Sequence, residues 1–307
     1  ITNHGYPWWI ALIISIICGA ILGYVIGSLV SRLGIPSFVV TLAAFLMFQG
    51  LLLLLAGEGG TIRIEDPTIL AFQNNNLSPT LSWIFFLAVG AIYVLVGLAR
   101  INARRKAGLK SELKKLWALK TGALLAVGAI AVYELNLERS NNPKLVSLKG
   151  TPYIVPVILV LLVAGTFVLG RTAYGRHIYA VGGNAEAARR AGINVKNIRT
   201  SAFVICSSFA AIAGMLFASR QNSISPTTGG SSTLLYAVGA AVIGGTSLFG
   251  GKGKMRDAVL GGLVVAVIDN GMGLLGYPAG IKFIVTGAVL LISAGVDAIS
   301  RRGVSSN

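Results

Sequence analysis

Nine apolar stretches separated by polar or charged segments set the pattern of this chain. They run 8–30, 36–56, 81–99, 116–135, 153–170, 200–219, 234–249, 258–275 and 278–296. Eight come close to or exceed the roughly 18 residues at which an apolar run reads as a membrane-crossing helix. The seventh, 234–249, is about 24 Å long as a straight helix and carries Gly239, Gly244 and Gly245. It either crosses thinly or re-enters. The pattern predicts an all-α polytopic membrane protein.

The basic residues choose between those two paths. With the N-terminus outside and nine crossings, 20 of the 26 lysines and arginines face inward and five face outward. Lys282 then lies near the outer end of the last span. A re-entrant 234–249 would export Lys252, Lys254, Arg256, Arg301 and Arg302, against the rule that basic loops stay inside. A thin crossing is therefore expected.

The outer segments read differently from the inner ones. Residues 57–80 hold Gly57, Glu58, Gly59, Gly60, Glu65, Asp66, Pro67 and Asn74-Asn75-Asn76, with Thr61-Ile62-Arg63-Ile64 as a possible short strand. Residues 136–150 are also polar. Either loop suits an extracellular partner or a plain solvated connection. Inside, the basic stretch 100–115 reads as an anchor on anionic lipid, with partner docking as the alternative.

Composition agrees and narrows the function. The chain is 54% hydrophobic and 12% charged, with a mean hydropathy of +0.77. A net charge of +16 would suit nucleic acid, but the charges sit between apolar spans without interleaved aromatics. Nucleic-acid binding is excluded on that ground. Cys18 and Cys206 read as buried small apolar residues, and no metal-ligand spacing exists. The chain starts Ile1-Thr2-Asn3-His4 without methionine or a basic leader, so a fragment lacking its N-terminal part is expected.

Catalytic chemistry has little to build on. His4 and His177 assemble no triad, no carboxylates pair at a useful spacing, and no Walker motif occurs. Any ATP hydrolysis, with its Mg, belongs to another chain, and no bound cofactor is expected here.

The strongest candidate site is the inner loop 171–199. Asn184 is placed to cap a short helix, Ala185–Arg190, that ends before Gly192, with Gly182-Gly183 as the turn into it. Gly183, Asn184, Glu186, Ala187, Arg189, Arg190 and Gly192 then form a lever for a soluble motor, or else an ordinary connecting helix. Asp269 and Asn270 are polar within a span, lining a path or bonding between helices; an Asp269–Lys282 pair is conceivable. Gly244, Gly245 and Thr246, before Gly250 and Gly251, suit the thin part of a translocation domain or a tight packing seam. Tyr6, Trp8, Trp9 and Tyr24 are expected at an interface, while Phe45 and Trp83 could stack on a sugar ring.

Several of these segments form recognisable motifs. Gly175-Arg176-His177-Ile178-Tyr179-Ala180-Val181-Gly182-Gly183-Asn184 with Glu186-Ala187-Ala188 and Gly192-Ile193 is one. Ile243-Gly244-Gly245-Thr246-Ser247 with Gly250-Gly251, and Ile35-Pro36-Ser37-Phe38-Val39-Val40-Thr41-Leu42, are the others. With them the chain resembles the permease subunit of bacterial ATP-binding-cassette (ABC) monosaccharide importers, ribose and xylose branch, most like the xylose-type members. The resemblance implies a type II-like transmembrane domain over residues 1–307, working as a homodimer in the inner membrane. It further implies two ABC ATPase subunits below, reached by the 184–190 coupling helix, and an extracytoplasmic sugar-binding protein above. Two departures stand out: the N-terminal membrane motif usual in the family is absent, and the segment after the sixth span reads Ser232-Thr233-Leu234-Leu235-Tyr236. A secondary transporter or channel for a small polar solute is the rival class.

Overall fold

The computed structural model describes residues 7–57, 60–108, 114–140, 147–226 and 228–302. His4, Tyr6, Glu58, Gly59, Lys110 and Lys144 lie outside them. Helices dominate: α1 (Trp8–Ser31), α2 (Ser37–Ala56), α3 (Pro67–Asn74), α4 (Pro79–Lys106), α5 (Lys114–Asn136) and α6 (Ile154–Arg171). Then come α7 (Ala173–Gly183), α8 (Ala185–Arg190), α9 (Val195–Gln221), α10 (Ser231–Ile243), α11 (Met255–Leu274) and α12 (Ala279–Arg302). Two short strands, β1 (Ile62–Arg63) and β2 (Ser223–Ile224), pair antiparallel. Eight of the described helices are long and apolar enough to cross a membrane; α10 is shorter.

Local chemistry marks where helices begin. Pro7 and Pro36 precede α1 and α2, and Ser78 caps α4 by accepting from the Leu81 amide at 3.3 Å, with Pro79 at the first position. Thr172 and Asn194 cap α7 and α9 in the same way. Asp257 reaches back from the first turn of α11 to the Lys254 amide at 2.8 Å.

By internal contacts the chain forms two compact units, Ile1–Ile69 with Ile158–Asn307, and Leu70–Val157. In the first, α1 and α9 run antiparallel in close contact. Only Gly19, Gly23 and Gly27 are buried on α1, whereas Ile13, Ile14, Ile17, Ile21 and Val25 face outward. This inverts a soluble helix: lipid is as apolar as leucine, so helices associate through small residues that let backbones approach. A Cβ at Gly23 would stand 2.6 Å from the Phe203 carbonyl oxygen, and one at Gly19 2.7 Å from that of Ser207. Ser31 and Thr200 share a 2.6 Å hydroxyl hydrogen bond beside the seam. Cys18 and Cys206 are exposed, not buried, because an apolar residue in a lipid-facing helix need not point inward.

The α10 helix decides the path of the short segment. It packs antiparallel on α11, with Gly244 against Asp257 and Gly261 against the Ala240 carbonyl. It starts after β2, which lies at the C-terminal end of α9, and leads to Gly250 and Gly251, which touch Gly182 and Gly183 at the end of α7. The α7 helix lies at the other end of α9, where the Tyr174 and Ser201 hydroxyls are 2.8 Å apart. Since α9 is about 40 Å long, the chain traverses from one end to the other. Its helical part stops at Ile243, just before Gly245 takes φ 110°, a value open mainly to glycine.

In the second unit α4 and α5 form an antiparallel hairpin, with Gly97 under Trp117 and Gly128 under Phe86. The far end of this unit is closed by buried Ser82, whose hydroxyl accepts from the Thr151 amide at 2.9 Å. Glu138 accepts from Ser147, Ser140 and Leu148, and Arg139 donates to the Leu148 and Gly150 carbonyls. The Leu148 amide, then the Ser147 hydroxyl, hold the Glu138 carboxyl below its ordinary value.

Candidate functional site

The α8 helix stands out because it is short, charged and firmly supported. Asn184 has extended backbone and its Oδ1 accepts from the Ala187 amide at 2.9 Å. At the far end Gly192, at φ 82°, donates to the Arg189 carbonyl, and the Ile193 amide donates to that of Ala188, each at 3.0 Å. That pair of bonds is a Schellman stop. Ala188, 4% exposed, is the inward anchor of the helix. Both ends and one face are therefore fixed, although six residues could not hold a helix alone.

The outward face is a charge cluster. Glu186 Oε1 accepts from Arg189 at 2.9 Å and from Arg190 Nε at 3.3 Å. All three side chains are more than half exposed. The Arg189 and then the Arg190 hydrogen bond hold the Glu186 carboxyl below its ordinary value, and the same contact raises Arg189. Gly183, Ala187 and Gly192 are exposed beside them. This arrangement is a small, preformed and exposed polar knob.

The approach to α8 differs from the sequence expectation. Gly182 and Gly183 make no turn; they are the last residues of α7, and Asn184 alone breaks the helix. Their lack of side chains serves a close approach instead. A Cβ at Gly250 would meet the Gly182 carbonyl oxygen at 2.6 Å, and one at Gly251 the Gly183 Cα at 2.8 Å. Tyr179 Oη donates to the Gly253 carbonyl at 2.6 Å, bolting the same loop to α7. Ser247 Oγ in turn donates to Asp297 of α12 at 2.7 Å. So α8 is joined through α7 to the loop between α10 and α11, and onward to α12. The four-residue spacing of Gly19, Gly23 and Gly27 on α1 is a signal for the other close seam that the sequence expectation leaves unused; nothing in sequence paired 182–183 with 250–251.

The expected path residues fall into separate places. Gly244, Gly245 and Thr246 lie where α10 meets the start of α11, with Gly244 serving close packing on Asp257. A cavity of about 280 Å³ opens beside them, lined in part by Thr246, Lys252 and Asp297. Asp269 and Asn270 lie toward the opposite end of α11, and Asp269 pairs with Lys282 at 3.8 Å. Phe45 is half-buried on α2, while Trp83 on α4 meets Phe86 edge-on at 6.1 Å. Among the described residues no cluster of His, Cys, Asp or Glu could hold a metal.

Relatives with stated roles match along most of the chain. The xylose transport system permease protein XylH of Escherichia coli (strain K12) is 35% identical over 301 residues, 97% of this chain and 73% of that protein. XylH of Haemophilus influenzae is 33% identical over 97% of this chain and 76% of its own length. The ribose import permease protein RbsC of Escherichia coli (strain K12) is 38% identical over 148 residues, 48% of this chain and 46% of that protein. No solved structure matches significantly. The family model described as branched-chain amino acid transport system / permease component matches residues 1–294. With its lipid-facing helices and the exposed, anchored α8, the chain belongs to this family of transport permeases, as a multi-pass protein of the inner membrane.

Proposed function

We propose that this chain is the membrane-spanning subunit of an ATP-driven importer for a monosaccharide of the xylose type, delivered by a soluble binding protein outside. Two copies form the pathway, and each offers α8 to an ABC ATPase subunit as its coupling helix. ATP and Mg are used by that partner; this chain binds no cofactor. Xylose permeases align with 97% of the chain, which supports the substrate class.

The observation that carries the mechanism is the support of α8. Gly183, Asn184, Glu186, Ala187, Arg189, Arg190 and Gly192 form the docking knob, and the Gly182–Gly251 and Tyr179–Gly253 contacts tie its base to the membrane helices. Closure of the paired ATPases shifts both knobs, and rigid helices carry that shift into alternating access. Phe45, Gly244, Gly245, Thr246, Asp269 and Asn270 are the proposed contacts along the path, with weak individual contributions because the binding protein selects the sugar.

The test is uptake of radiolabelled xylose and ribose into proteoliposomes holding the full-length permease, its ATPase and its binding protein. Uptake is expected to need ATP and to fall in Glu186→Ala/Arg189→Ala while that variant remains folded. Uptake without ATP, or driven by an ion gradient, assigns the chain to the secondary-transporter class instead.

A further inference from the structure

The basic end of the α4–α5 hairpin has a pocket that the transport reading does not use. Its walls hold Arg100 and Arg104, one turn apart on the same face of α4, and Trp117 on α5. It encloses about 280 Å³. Trp117 is locked over Gly97, where a Cβ would come within 2.5 Å of the ring. That pairing sets Arg100 beside the basic end of α5, near Lys115. Two arginine side chains thus line one pocket beside an aromatic ring. Among the described residues neither arginine has an ion pair, and the carboxylates described in this unit, Glu134 and Glu138, lie at its other end.

Depth identifies the ligand. The α4 helix has 28 residues, about 42 Å, while the hydrocarbon of a bilayer is about 30 Å thick. A crossing that starts near Pro79 reaches the opposite headgroups at about residue 99, so Arg100 and Arg104 stand in the headgroup layer. Tyr93 and Val96, each about half exposed, lie one to two turns deeper at acyl-chain depth and line the same pocket. A free anion has no use for that apolar extension. We propose that this pocket binds one anionic phospholipid of the inner leaflet, its phosphate between Arg100 and Arg104 and one acyl chain along Tyr93, Val96 and Trp117. Charge bias alone calls for a diffuse attraction; the pocket makes it a site.

The full-length protein is placed in phosphatidylcholine nanodiscs with 10% phosphatidylglycerol carrying brominated chains, and quenching of Trp117 is taken as the difference from Trp117→Phe. Brominated phosphatidylglycerol is expected to quench Trp117 well beyond an equal fraction of brominated phosphatidylcholine. Arg100→Gln/Arg104→Gln is expected to weaken that preference by about tenfold or more. Lys106→Gln/Lys115→Gln removes the same charge from the same end outside the pocket, and is expected to change it less than about twofold. Equal quenching by the two lipids in the unaltered protein overturns the proposal. So does an equal loss in both double variants, which signals only diffuse surface charge. Full competition by soluble glycerol phosphate at millimolar concentration also overturns it, in favour of a small-anion site. Circular dichroism and a single gel-filtration peak establish that each variant is folded.

Discussion

Gly23→Ala adds one methyl group to the tightest point of the α1–α9 seam. The new Cβ would stand 2.6 Å from the Phe203 carbonyl oxygen and 2.7 Å from Val204 Cα, where ordinary contact begins at 3.4 Å. Both obstacles are backbone, so no side chain can rotate away and the helices must part locally by about 0.7 Å or more. A gap of that size forfeits roughly a quarter to a half of the dispersion energy of the atoms that face it. Overfilled close-packed sites cost about 1–3 kcal/mol, and the better helix propensity of alanine returns about 0.5–1 kcal/mol. A net loss of about 1–2 kcal/mol follows. Gly50→Ala on α2 is the control, because its Cβ meets nothing within 4 Å and retains the propensity gain. Unfolding in mixed micelles of rising SDS content, followed by tryptophan fluorescence, measures both. Gly27→Ala, whose nearest contacts begin at 3.0 Å, is expected to cost less than Gly23→Ala. If Gly23→Ala unfolds at the same SDS fraction as Gly50→Ala, close glycine packing does not hold this pair together.

Three other expectations concern the knob and its support. Asn184→Ala removes the cap of α8 at a cost of about 1 kcal/mol, read as roughly fivefold faster amide exchange at residues 187–190, while Asn184→Asp retains protection. Because the Glu186 carboxyl is held below its ordinary value of 4.5 by Arg189 and Arg190, its contribution to α8 is complete above that value. It is lost as pH falls through the lowered value, so a carboxyl ¹³C NMR titration of Glu186 has its midpoint below 4.5 and moves up in Arg189→Gln. Tyr179→Phe leaves the Gly253 carbonyl without its 2.6 Å donor and costs about 1 kcal/mol in the same SDS assay, with faster amide exchange across 250–254. An unchanged exchange rate there would separate that loop from α7.

Much of this molecule was legible before any coordinates. Period and length announced the membrane helices, since a bilayer demands a run of apolar residues and a helix that satisfies its own backbone. Asn184, Glu186, Arg190 and Gly192 announced α8 through local capping chemistry, and the structure has that helix over Ala185–Arg190. The Asp269–Lys282 pair was likewise open to view, because a short turn brings their two helices together. Extra helix was not legible: α7 and the first five residues of α9 are polar enough to read as loop, yet Thr172 and Asn194 cap them.

What the sequence by itself determined was therefore set by solvent and by neighbours within a turn or two: which segments enter lipid, which face is basic, where α8 starts and stops. The tertiary structure alone decided which glycines meet. Gly19 and Gly23 touch α9, and Gly182 and Gly183 touch Gly250 and Gly251 across some 70 residues. A glycine carries no side chain to declare its partner, so its role appears only once two backbones lie against each other. The same holds for the path of 234–249, where the helix ends at Ile243 and the contact with α7 brings the chain to the basic end of α9.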